Sequence, residues 1–157
     1  MKSYFLRRLF ARLRNRDGAT MLEAAFITPL LLLLTFSIVE FASIMYCHLA
    51  LQNGAAQATR FGVTGSVTGT MSRADSMKAA FRTATPTLNV PDSGFTFSHL
   101  AVGGGAFVPG TGGPDEVERL TVNYTWSLFT PLLRPFFTNG QIRLKAESTM
   151  RNESAPQ

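Results

Sequence analysis

The sequence has one cysteine among 157 residues, so no disulfide within the chain can hold a small fold together. Two histidines and that cysteine leave little for a transition-metal site. Charge is also scarce: 16% of residues are charged, against about 25% in an ordinary soluble domain. What charge there is lies unevenly. Lys2, Arg7, Arg8, Arg12, Arg14 and Arg16 stand against Asp17 within residues 1–17, while the rest of the chain balances nine basic residues with nine acidic ones. The basic character therefore belongs to a short leader. A nucleic-acid-binding face would need basic residues spread over a folded surface, so no nucleic-acid partner is expected. Catalytic constellations are missing as well. His48 and His99 stand alone, and no Ser/His/Asp set or carboxylate pair can be assembled from the spacing. Gly103-Gly104-Gly105 lacks the lysine and Ser/Thr of a phosphate loop. Neither an enzyme nor a bound cofactor is expected.

What the sequence does have is a long apolar run. Residues 24–39 carry no charge and include five consecutive leucines, Leu30 to Leu34; Glu40 interrupts, and 41–51 continue mostly apolar. A bilayer-crossing helix needs about 20 apolar residues, a length that 24–46 reaches if Glu40 is tolerated towards the far end, where a charge can reach the interface. Positive flanks stay in the cytoplasm. The leader is therefore expected inside and residues beyond about 50 outside, as a single-pass chain of the lipid bilayer. The usual secretory signals fit poorly. A small-x-small cleavage site is absent until Ala56-Gln57-Ala58, Cys47 follows Tyr46 where a lipoprotein signal needs a small residue, and Arg7-Arg8 lies far from the apolar core.

A different signal sits at the start of the run. A basic leader ends in Gly18, the small Ala19 follows, Glu23 stands fifth after the glycine, and the apolar stretch then begins. A carboxylate there is expensive in lipid unless something pairs with it. This pattern resembles the type IV prepilin processing site, which implies cleavage between Gly18 and Ala19 by an aspartyl prepilin peptidase. The new Ala19 amine of one subunit would then pair with Glu23 of a neighbour. A first-turn acid that suits the helix dipole is the plainer reading of Glu23, but it leaves the glycine, the spacing and the leader unaccounted for.

The resemblance extends further. Pro29, the leucine run, Ile38-Val39-Glu40-Phe41-Ala42, Ala50-Leu51-Gln52-Asn53 and Arg60-Phe61-Gly62 are similar to the TadE-like pseudopilins of tight-adherence (Flp) pili, as is, more weakly, the ending 147–153. Ala24 stands where Tad prepilins carry an aromatic residue. The resemblance implies a minor pilin-like structural subunit of a Tad/Flp adhesion pilus in the bacterial inner membrane. Its expected partners are other Tad pilins or pseudopilins and the assembly platform. On that resemblance Gly18 and Ala19 are expected to be the processing site, and Glu23, Pro29 and Glu40 the assembly residues. Pro29 removes a helix hydrogen bond and reads either as a tolerated kink or as a weak point that lets the helix bend in a filament. The alternative function, from another class, is an uncleaved single-span anchor with a periplasmic binding domain.

Three regions follow: a leader, 1–18; a transmembrane and extended helix, 19–61; and an extracytoplasmic head, 62–157. Leu51, Ala55 and Ala58 recur at helical steps, so the helix should continue outside the bilayer; Gly54 weakens it and Gly62 should stop it. Residues 63–71 read as a linker. Ser72 and Asp75 suggest a cap for a short helix with Met77, Ala80, Phe81 and Ala84 on one face, ended by Pro86. A strand is expected at 95–101, a loop at 101–115, and alternating strands at 120–128 and from Ile142 to Met150. The apolar connection between them, with Leu132, Leu133, Phe136 and Phe137, is expected to fold back over the core; an exposed patch facing a partner or the membrane is the other reading. Cys47 is expected to be a small apolar residue, with an intermolecular disulfide as the alternative. The fold class is α+β: a long N-terminal helix and a small head with an antiparallel sheet, pilin-like.

Overall fold

The computed structural model describes residues 16–154. Most of the basic leader therefore lies outside the described residues. The chain divides into two compact units, one ending at Val39 and the other running Glu40–Gln157.

Helix α1 (Arg16–Val63) enters both units. Its apolar stretch is long enough to cross a membrane, and none of its most apolar window is buried within the chain. A helix that is apolar all round must be covered by something; uncovered by its own chain, this one fits a single-pass membrane protein. Thr35 and Ser37 donate their hydroxyls back to the carbonyls of Leu31 and Leu33, at 2.8 and 2.7 Å. These polar side chains are thereby satisfied on an apolar helix.

From Glu40 onward the character of α1 changes. Glu40, Cys47, Leu51, Gly54, Ala55, Ala58, Thr59 and Gly62 are buried, at steps of three, four and seven. That stripe packs into the head core. The helix ends one residue past the expected stop: Gly65 adopts a positive φ and its N–H bonds the Gly62 carbonyl at 2.9 Å, a conformation glycine takes without penalty.

Helix α2 (Arg73–Ala84) is capped by Ser72, whose hydroxyl accepts from the Asp75 N–H at 3.1 Å. Its buried face is Ser76, Met77 and Phe81. Ala84 is exposed, contrary to the helical face read from sequence, while Ser76 turns inward and accepts from the Thr68 N–H at 2.9 Å.

Strands β1 (Phe95–Leu100), β2 (Val108–Pro109), β3 (Val117–Ser127) and β4 (Gln141–Arg151) form one antiparallel sheet in the order β2-β1-β3-β4. The pairs Val122↔Ala146 and Tyr124↔Leu144 fix the β3–β4 register. That register places Leu120, Val122, Leu144 and Ala146 on the core face. They meet Cys47, Leu51, Ala55 and Ala58 of α1, Met77 and Phe81 of α2, and Phe95 of β1 in a single cluster. Phe81 and Phe95 meet edge to face, with ring centroids 5.0 Å apart.

The sheet differs from the sequence reading in three places. Strand β2 lies inside the expected loop, too short for alternation to mark it. Strand β3 begins at Val117, so its inward phase reaches Glu118. The apolar connection does not cap the core: Phe129, Leu132, Phe136 and Phe137 are exposed. Leu128, Thr130 and Gly140 are its buried members, and two 3-10 turns, Arg134–Phe136 and Thr138–Gly140, hold its shape.

Candidate functional site

Gly18, Ala19, Glu23 and Pro29 all lie on the exposed part of α1. Gly18 is helical, and a Cβ built on it would meet nothing within 4 Å. The helix thus begins before the candidate scissile bond. Glycine lowers helix stability by about 1 kcal/mol relative to alanine, so Gly18 eases local unwinding at the candidate scissile bond. Glu23 is exposed and, among the described residues, its carboxylate has no side-chain hydrogen bond or ion pair within the chain. Pro29 is accommodated inside α1 without a break. The hydroxyls of Thr35 and Ser37 engage Leu31 and Leu33, so they do not serve the carbonyl that Pro29 frees.

Glu40 stands apart from these residues. It is 1% exposed. Its Oε1 accepts from the Trp126 indole N–H at 3.2 Å and its Oε2 from the Thr130 backbone N–H at 3.0 Å. A buried carboxylate is tolerable when its oxygens are matched by donors. Glu40 thus fastens α1 to the end of β3 and to the connection after it. Sequence separation of 86 and 90 residues hides these partners from any local pattern.

A second polar cluster was not read from sequence. Arg73, the first residue of α2, donates to the Gly62 carbonyl at 2.6 Å, Glu118 Oε2 at 3.0 Å, Asn152 Oδ1 at 2.8 Å and the Gly112 carbonyl at 3.0 Å. The Glu153 N–H bonds the Val63 carbonyl at 2.9 Å. One guanidinium therefore joins the end of α1, the start of β3, the glycine loop and the residue after β4. A signal was available: the period-two alternation of β3, carried two residues back from Leu120, points Glu118 inward. Burial pushes the Glu118 carboxyl up to about 7, with Arg73 and His99 pulling it back. Its Oε1 has no hydrogen-bond partner.

Cys47 is a free thiol with no exposed surface, packed in the head core. Among the described residues, no three His, Cys, Asp or Glu side chains are grouped to hold a metal ion. No curated protein and no solved structure matches the chain. Residues 18–60, from the candidate scissile glycine to the last turn of α1, match the family model described as TadE-like protein.

Proposed function

We propose that this chain is a minor pilin-like subunit for assembly of a Tad/Flp-type adhesion pilus. Inserted in the bacterial inner membrane with its leader in the cytoplasm and its head outside, it is cut between Gly18 and Ala19 by an aspartyl prepilin peptidase. The observation that carries this reading is the TadE-like match itself, which begins at Gly18 and takes in Glu23, Pro29 and Glu40. The exposure of Glu23, and its lack of a partner among the described residues, support it further.

The mechanism is assembly, not chemistry on a small substrate. The peptidase unwinds the helix around Gly18, hydrolyses the Gly18–Ala19 bond, and leaves a positive amine on Ala19. In lipid that amine and Glu23 are each costly alone. Paired between subunits they neutralise one another, and a wrong register leaves a buried charge unpaired. Register is thus selected by penalty, and Pro29 lets the apolar helix adjust as it packs against other pilins and the assembly platform.

N-terminal sequencing of the protein from membranes containing the peptidase tests the reading. The mature chain is expected to start at Ala19. A chain that retains Met1 in those membranes would sink the processing step and leave an uncleaved single-span anchor.

A further inference from the structure

We propose that the connection between β3 and β4 seats the head on the surface of the bilayer that α1 crosses. The inference rests on the single-pass reading and does not depend on pilus assembly.

Depth comes first. Residues 19–39 rise about 30 Å as a helix, the thickness of a bilayer's hydrocarbon core. Glu40, the first charged residue after the uncharged run 24–39, therefore stands at the outer boundary. The connection is fastened at that level, because Thr130 and Trp126 both donate to Glu40.

Surface chemistry comes second. Phe136 is 73% exposed, and Phe129, Leu132 and Phe137 are exposed beside it. Residues 128–140 contain one charge, Arg134, and no acid. Aromatic side chains at the boundary of a span, with a cation and no anion among them, suit the headgroup region of a bilayer with acidic lipids. Trp126 packs edge to face with Phe129 at 5.9 Å, extending the aromatic patch back to Glu40.

Rigidity comes third. Arg134 Nε donates to the Leu128 carbonyl at 2.8 Å, and the Leu128 N–H bonds the Gly140 carbonyl at 3.0 Å. Asn139 and Gly140 both take positive φ to close the turn. The exposed apolar side chains are thus presented on a built scaffold, and the occupant that fits is a phospholipid interface.

The test is spin-label depth measurement on the full chain, in vesicles of phosphatidylethanolamine and phosphatidylglycerol. With Cys47→Ala as background, labels are placed singly through Leu31→Cys, Phe136→Cys and Ser66→Cys, the last on the turn after α1. Labels at 31 and 136 are expected to lose accessibility to a water-soluble nickel complex and gain it to oxygen, while the label at 66 does the reverse. A label at 136 that behaves like the one at 66, with 31 still in lipid, would overturn docking and leave the span intact. A label at 31 open to nickel would remove the span, and docking with it. Nickel protection at 136 that disappears when labelled chains are diluted with lipid would assign the patch to a second copy of the chain instead.

Discussion

Two acids are buried in the head unit, and their surroundings treat them differently. Glu40 has a donor on each carboxylate oxygen. Glu118 has the Arg73 guanidinium on Oε2 and no partner on Oε1. Burial disfavours its charged form more than Arg73 and His99 favour it, which pushes the carboxyl up to about 7. The sign follows from linkage. Between the unfolded value, about 4.3, and about 7, the folded chain holds a proton that the unfolded chain has lost, so stability falls as pH rises through that window. His99 and Glu116, whose side chains approach to 3.7 Å, lie at the same end of the sheet. Glu118→Gln keeps the shape and removes the titration. Thermal midpoints of the detergent-solubilised protein should decline between pH 5 and 7 in the wild type, and decline less in the variant; equal slopes would remove Glu118 as the cause.

Elements α1 and α2 approach closely because Gly54 faces Phe81 and Thr85. A Cβ at Gly54 would lie 2.6 Å from Phe81 Cε2 and 2.6 Å from Thr85 Cγ2. Phe81 is fully buried and fixed edge-on against Phe95, so it has little room to yield. Gly54→Ala should gain about 1 kcal/mol of helix propensity and lose 1–3 kcal/mol to overpacking (roughly, from core insertions). A net loss of up to about 2 kcal/mol is expected in denaturant unfolding. Gln57→Ala, exposed on the same helix, serves as the control. Stabilisation by Gly54→Ala would mean that the two helices part at little cost.

The same elements show what was legible in the sequence. The helix stripe of Leu51, Ala55 and Ala58 and the alternation of β3 and β4 were readable because burial on one face imposes a period. Glycine 54 read locally as a weakness in α1, and only the packing of Phe81 gives its reason. Strand β2 spans two residues, below the length at which alternation says anything. The 128–140 connection misled because apolar composition speaks for burial but not for what does the burying. Within the candidate site, Gly18, Glu23 and Pro29 stand out in the sequence because they are spaced along one helix, and their roles rest on the proposed function. The partners of Glu40 and the cluster around Arg73 were not, since each joins segments that meet only after folding.

At the scale of the whole molecule, the chain separates an exposed helical unit from a head with its own core. Substitutions at Glu23 should therefore not disturb the head. Glu23 belongs to the other unit from the head core, and removing a carboxylate from an apolar helix favours insertion. What it removes is the proposed partner for the Ala19 amine of another subunit. Glu23→Gln retains size and loses charge; Glu23→Ala loses both. Both variants are expected to insert, fold their heads and be processed as the wild type is, yet to co-purify with other pilins far less. The amine left unpaired in lipid then opposes assembly, and an unpaired buried charge costs about 3–5 kcal/mol when its partner is removed, enough to lower incorporation by more than tenfold. Head folding is read from protease resistance and thermal midpoint, insertion from membrane fractionation, and assembly from co-purification. Wild-type incorporation by both variants would make Glu23 an ordinary acid of the helix with no pairing role. Failure of both heads to fold would show that the two units are coupled.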